Sequence, residues 1–287
     1  MRNKEKFKYK KKLTKGEKRT LLLSRIFIWV IIVITLIPIV AVISSSMAPG
    51  ESFVQSTFFP EKFTLENYKE VLVETEFLLW MKNSLKICVS VALLQLCMSI
   101  PAAFAFSKLK FRGRKKGLMG LLILQMFPSI MALPAILGVV YTLGLMDKSW
   151  VLILIIGGGS AYNIWLLKGF IDGIPNDLVE AAYVDGASTF QVFIKIILPL
   201  TRNMLIVIFL FAFIAAYSEF IFTSSLLKDA SNQTIATGLK QFITNNFSAN
   251  WSQYSAAAIM ASTPIVILFM ASQKFIASGL TAGSVKE

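Results

Sequence analysis

"IPNDLVEAAYVDGASTFQVFIKIILPL", residues 174–200, is a polar interruption in a chain built mostly of apolar runs. Its first half reads as a short helix. Asp177 stands at a capping position with Glu180 three residues on, and Glu180 falls at the positive end of that helix. Gly186 supplies a left-handed stop. Ser188 and Gln191 form a second capping-box pair, after which Phe190, Phe193, Ile194 and Ile197 recur at the i, i+3, i+4, i+7 spacing of an amphipathic helix. Pro199 marks the entry to the next apolar run. Ala181 and Ala182 leave room for close approach, so the pattern predicts a helix–turn–helix suited to a groove on a partner. The same features also describe a well-capped loop helix of no special purpose.

The surrounding chain has 287 residues, of which 55% are hydrophobic. That exceeds the roughly 45–50% of soluble domains and points to a membrane protein. The formal charge of +13 is not spread as a nucleic-acid face would be. Ten basic residues lie between Arg2 and Arg19 and six between Lys108 and Lys116, each cluster abutting an apolar run, as cytoplasmic flanks of membrane spans do. Nucleic-acid binding is set aside on that ground. The absence of histidine removes His-based zinc sites, phosphohistidine relays and Ser-His triads, and no metal site is expected. Cys88 and Cys97 sit in one apolar run, about 13 Å of helical rise apart, and cannot pair with each other.

The first apolar run, about 20–46, follows a basic leader of residues 1–19. It is too long for a signal-peptide core and long enough to span, with Pro38 a tolerated kink. Further spans read as about 83–106, 118–143, 150–167, 196–226 and 256–276, six in all. The linker 47–82 carries Glu51, Glu61, Glu66, Glu70, Glu74 and Glu76 against only Lys62 and Lys69 as far as residue 76 and is placed outside, with Lys82 and Lys86 read as interfacial residues that snorkel; the leader and the 108–116 loop are placed inside. Six spans then put 168–195 and the tail 278–287 inside as well. The expected fold is an all-α polytopic membrane protein with both termini cytoplasmic, in the cytoplasmic membrane, its basic leader touching anionic lipid. Sequons at Asn232, Asn246 and Asn250 are of a kind that a polar outer loop produces by chance.

Few polar residues interrupt the spans. An acid within a span costs about 2.5–3.5 kcal/mol on insertion scales, so Glu219 should face a cavity or a partner helix. Gly157-Gly158-Gly159, followed by Ser160 and Asn163, permits bending and close packing of the fourth span. Gln125 is a weaker candidate in the third. Glu219, Asn163 and Gln125 are therefore the residues weighed for a substrate path, against a purely structural role.

Returning to the opening stretch, its spacing carries more than its capping. Glu180-Ala181-Ala182, three residues, Gly186, nine residues, Ile196, one residue, Leu198-Pro199 matches at every fixed position the EAA---G---------I-LP motif of ABC importer permeases. The chain thereby resembles the binding-protein-dependent sugar permeases, in particular the smaller maltose/maltodextrin-type subunit. "WSQYSAAAIMASTPIVILF" resembles the approach to that subunit's last span and "SGLTAGSVKE" its tail. "AAYSEFIF" stands where these permeases show a Trp-Asn-acid-aromatic pattern; Tyr217 and Ser218 depart from it, whereas Glu219 and Phe220 keep it.

The resemblance implies a type I ABC importer permease fold with its core over 83–277. It implies a non-catalytic subunit, paired with a second permease subunit, two ATP-binding subunits and an extracellular sugar-binding protein, bringing in maltodextrin-like oligosaccharides to a bacterial cell. Glu180, Ala181, Ala182, Asp185, Gly186, Ile196, Leu198 and Pro199 would form the coupling loop to the ATP-binding subunit. Gly279, Thr281 and Gly283 would reach between the two ATP-binding subunits. No G-x-x-x-x-G-K-[ST] phosphate cradle occurs in the sequence, so ATP and magnesium are expected on a partner chain. The rival readings are an ion-coupled secondary transporter, for which Glu219 alone approaches a coupling group, and an ABC permease for a non-sugar solute. An intramembrane hydrolase lacks paired acids.

Overall fold

The computed structural model describes residues 14–50, 59–244 and 250–281, with side chains to residue 276. All regular structure among these residues is helical. Helix α1, Lys15–Ser46, begins ahead of the apolar run because Thr14 and Glu17 close a capping box: Glu17 N donates to Thr14 Oγ1 at 3.3 Å and Thr14 N to Glu17 Oε2 at 2.7 Å. Its apolar stretch is unburied, with Phe27 66% and Trp29 67% exposed. Only the end at Ser44–Ser46 is covered. There Asn67, on α2 (Glu66–Glu74), donates from Nδ2 to the Ser46 and Ala48 carbonyls, 2.9 Å each.

Helix α3, Phe77–Lys108, starts earlier than the expected 83 and forms the central post of the bundle. The third expected span is two pieces, α4 (Arg114–Gln125) and α5 (Leu133–Thr142), with a 3-10 turn at Ser129–Ala132, bent by 77°. Pro128 explains the break: it lacks an N–H and holds Phe127 away from helical geometry. The fourth is α6 (Ser149–Gly157) and α7 (Ala161–Asp172), bent by 47° at Gly158–Ser160. After α8 (Asn176–Val184) and α9 (Thr189–Val192), helix α10 (Leu198–Tyr217) ends at Ser218, and α11 (Ile221–Leu226) is separate. The expected spans 118–143, 150–167 and 196–226 are thus each interrupted, the second of them at the glycines read as permitting a bend. The short α12 (Ile235–Gly238) and the long α13 (Trp251–Thr281) complete the chain. By length and composition four helices can cross a membrane, or up to six if each bent pair is one span.

Two apolar clusters fill the bundle. One joins Phe77, Trp80, Ile87 and Val91 of α3 to Leu152, Phe213, Tyr217 and Leu226. The other, at the α8 end, joins Ala103 and Phe104 of α3 to Leu167, Ile171, Val179, Val192, Ile197 and Met204. Between them along α3 lie the buried polar residues Gln95 and Ser99. At the end away from α8, the segment after α11 is bound to its neighbours. Asn83 Nδ2 donates to the carbonyls of Ser231 (2.8 Å) and Gln233 (2.9 Å), and Ile235 N to Ser84 Oγ (2.8 Å). The Asp147 carboxylate accepts from the backbone N–H groups of Lys228 and Asp229. Asp229 is itself held below the usual carboxylate range by hydrogen bonds from the hydroxyl and N–H of Ser231. Asn232, of the sequon, donates to the Asp147 carbonyl at 3.0 Å.

Candidate coupling surface and helix-break cavity

Helix α8 begins differently from the capping expected of Asp177. Asn176 is its first residue, Pro175 holds the cap position with φ −53°, and no side chain caps it. Asn176 Oδ1 instead accepts from Lys108 Nζ at 2.8 Å, and the same ammonium donates to the Ile174 carbonyl at 2.6 Å. Asp177 lies in the first turn, where its charge opposes the helix dipole favourably. The other end follows expectation. Gly186 is left-handed with φ 83°, Gly186 N donates to Tyr183 O (3.0 Å) and Ala187 N to Ala182 O (2.9 Å), the paired bonds of a Schellman stop. Ser188 and Gln191 then close their capping box.

A polar frame holds this helix from behind. Ser107 Oγ donates to Asp172 Oδ1 at 2.6 Å, and Lys168 pairs with the other oxygen of Asp172. The Arg114 guanidinium donates to the carbonyls of Phe106, Ser107 and Leu109, tying the end of α3 to the start of α4. None of these residues stands out in the sequence, because Lys108 and Arg114 are indistinguishable there from the rest of the basic cluster. Val179 is buried in the lower core and Ala182 half-buried, whereas Glu180, Ala181, Asp185 and Gly186 are exposed. Beside them Leu178, Tyr183, Val184 (88% exposed) and Phe190 (70% exposed) leave an apolar surface uncovered. The frame and this surface make α8 a rigid projection with one apolar and acidic face.

The amphipathic continuation needs correction. Val192, Phe193 and Ile197 pack inward, but Phe190 and Ile194 turn out to the surface. Residues Phe193–Ile197 form a π turn, in which Leu198 N donates to Phe193 O. One extra residue per turn shifts the phase of the inward face. Pro199 directly follows this turn, where it lacks a hydrogen to donate. Ile196 and Leu198 are half-buried and Pro199 is exposed. Gly279 and Thr281 lie in the last turn of α13, so the helix reaches into the expected tail, and Gly283 lies outside the described residues.

The three helix breaks converge on a second feature, a cavity of about 850 Å³ lined by Gln125, Phe127, Gly158, Gly159, Glu219 and Phe222 among others. Glu219 serves the break after α10: its carboxylate accepts from Phe222 N (2.7 Å), Thr223 N (2.8 Å) and Thr223 Oγ1 (2.7 Å). The two N–H donors are amide groups at the start of α11 that the helix itself cannot satisfy. Gln125 bridges the break of the fourth span, donating to Gly159 O (3.1 Å) and accepting from Tyr162 N (2.7 Å). Asn163 is elsewhere. It is buried, donates to Gln95 Oε1 at 2.7 Å and does not line this cavity; Gln95 Nε2 in turn reaches the Ile156 carbonyl at 3.1 Å. Gly157 packs against Leu94, leaving 2.5 Å between a would-be Cβ and Leu94 Cδ2. Gln95 was not singled out from the sequence; an amide inside an apolar run was the available signal.

Residues 89–282 match the family described as binding-protein-dependent transport system inner membrane component. The chain is 38% identical over 262 residues to the maltodextrin transport system permease protein MdxG of Bacillus subtilis (strain 168), covering 91% of this chain and 94% of that protein. It is 35% identical to the galactooligosaccharides transport system permease protein GanQ of the same organism, covering 93% of this chain and 95% of that one. A chain from the crystal structure of a bacterial ABC transporter involved in the import of the acidic polysaccharide alginate superposes with a TM-score of 0.77 at 22% identity. That alignment covers 92% of this chain and 98% of that one, and supports a shared fold. The motif at 180–199, the bent spans and the match over most of the sequence lead to one assignment: the chain belongs to the binding-protein-dependent transport system inner membrane components, the permeases of ABC importers.

Proposed function

We propose that this chain is one of two membrane-spanning subunits of an ATP-driven importer of maltodextrin-like oligosaccharides, in which α8 is the joint to a separate ATP-binding subunit. The observation that carries the reading is the α8 projection. An exposed face of Leu178, Val184 and Phe190 with Glu180 and Asp185 is costly to leave in water, and Lys108 ties the start of its helix to α3. Such a face suits insertion into a cleft on a soluble partner. In this reading the bent pairs each cross once, giving six spans with both termini cytoplasmic, and the basic 108–116 loop lies on the same side as α8. ATP and magnesium belong to the partner, and Gly279 and Thr281, in the last turn of α13, approach it.

The cavity fits the transport path. Backbone at 126–128 is irregular and exposed ahead of the 3-10 turn, and irregular backbone cannot face hydrocarbon without unsatisfied polar groups. It therefore faces the second permease subunit or water between the two. The segment 227–243 lies at the opposite end from α8, where an extracellular binding protein would dock. Oligosaccharide is favoured by the named substrates of the relatives, a maltodextrin and galactooligosaccharides. Ion-coupled transport is disfavoured, because the Glu219 carboxylate is engaged by three donors of its own chain.

Glu180→Lys tests the coupling role. It reverses the charge on the exposed face; Glu180 is the middle residue of α8, outside the first turn where the sequence placed it, so the effect acts through the partner rather than the helix dipole. In the reconstituted importer, ATPase stimulation by sugar-loaded binding protein should be lost while the binding protein still takes up its sugar. Unchanged stimulation would show that α8 is not the joint.

A further inference from the structure

The elbow between α3 and α4 has a charge arrangement that the transport reading uses only to fix the side of the membrane. Lys108 and Arg114 are committed to carbonyl and amide oxygens of their own chain. The side chains of the neighbouring Lys110, Arg112, Lys115 and Lys116 are exposed and make no hydrogen bond or ion pair with any described residue. Lys110, Lys115 and Lys116, with Phe111, Gly113 and Arg114, line a pocket of about 390 Å³ that no acid enters. Asp172, one of the acids nearest in the fold, is already bonded to Ser107 and Lys168. Lys115 and Lys116 also occupy the first turn of the twelve-residue α4, where the helix dipole adds to their own positive potential. Charge of one sign is thus concentrated with nothing in the described chain to balance it.

From the pocket's Lys115, helix α4 carries an apolar row. Lys115, Met119 and Ile123 follow at four-residue spacing, on one face of α4, and Met119 and Ile123 are 59% and 60% exposed. Phe111, also exposed, leans on Phe106 with ring centroids 5.5 Å apart. A soluble anion would answer the cations but not the row beneath them. We propose that this elbow is a binding site for one anionic phospholipid, its phosphate held by Lys110, Lys115 and Lys116 and its acyl chain laid along Met119 and Ile123. Basic residues at the edge of a membrane span recognise such headgroups. The proposal does not depend on which solute the importer carries.

The test uses the purified importer containing the full chain, equilibrated with equal amounts of phosphatidylglycerol and phosphatidylcholine, with the retained lipid extracted and quantified. The wild type should retain phosphatidylglycerol preferentially. Each cation near an anionic headgroup contributes about fivefold, so K115Q/K116Q should lower the preference about 30-fold, and K115Q or K116Q alone about fivefold. The single variants keep the test decisive if the double variant does not assemble. Met119→Asn, which leaves every charge in place, should also lower retention. Three results would overturn the proposal. One is unchanged preference in the lysine variants. Another is complete displacement of the lipid by millimolar inorganic phosphate, which would make this a soluble-anion site. The third is loss of the ATP-binding subunit from the variants with lipid retention intact, which would make it a protein contact.

Discussion

Gly186→Val isolates the conformational requirement at the end of α8. The glycine has φ 83°, and a Cβ built on it meets no atom within 4 Å, so a substitution there acts through backbone strain rather than collision. Holding an L-residue in the left-handed region costs about 1–2 kcal/mol, and a β-branched residue lies at the upper end. The two Schellman bonds, Gly186 N to Tyr183 O and Ala187 N to Ala182 O, depend on that conformation. With 1.4 kcal/mol per factor of ten, the stop should open about 5–30 times more often. Gly186→Ala should fall between wild type and valine, and Gly186→Asn should approach wild type because asparagine tolerates the left-handed region. Hydrogen exchange of the amides at 186 and 187 in the assembled importer reads the opening directly, and co-purification of the ATP-binding subunit reads its consequence. Wild-type protection in the valine variant would refute the strain argument. Asparagine as damaging as valine would show that glycine is needed for room at the partner surface instead.

Gly238→Ala should destabilise the opposite end. Its Cβ would lie 2.8 Å from Trp80 Cε2 and nearer still to two other ring atoms, and Trp80 is 3% exposed, so thermal unfolding in detergent should fall by an overpacking cost of about 1–3 kcal/mol. An unchanged melting temperature would mean that Trp80 can withdraw. Glu219→Leu removes the acceptor from Phe222 N and Thr223 N, while the Thr223 hydroxyl keeps the Glu219 carbonyl at 3.2 Å; leaving the two N–H groups unpaired costs about 1–3 kcal/mol each, so the bundle should melt earlier, with Glu219→Gln intermediate. Normal stability with lost transport would instead make Glu219 a pathway residue alone. Lys108→Met cuts the tie from α3 to Asn176 and the Ile174 carbonyl and should impair ATPase stimulation while leaving the binding protein's own sugar affinity unchanged; full stimulation would show that the frame behind α8 is dispensable.

What the sequence determined was local. A left-handed glycine after nine helical residues, a Ser188–Gln191 capping box and apolar runs long enough to span are written in neighbouring residues, and the structure has all three. The spaced motif from Glu180 to Pro199 identified the family for the same reason, being contained in one short stretch. The failures are where a local rule met a distant partner. Asp177 has the right residue type for a cap, yet the chain enters α8 through Pro175 and Asn176, whose side chain is claimed by Lys108, 68 positions earlier. The third and fifth spans read as continuous because hydropathy does not register a bend, whereas the glycines of the fourth marked where one was possible. Pro128, the three glycines and Glu219 were visible, but not that their breaks would line one cavity. Asn163 and Gln125 are equally polar in the sequence. Only the packing of α3 against α7 sends Asn163 to Gln95, and only the approach of α4 to α7 places Gln125 beside the cavity. Burial and hydrogen-bond partners belong to pairs of helices, and no single stretch of chain encodes which pairs will meet.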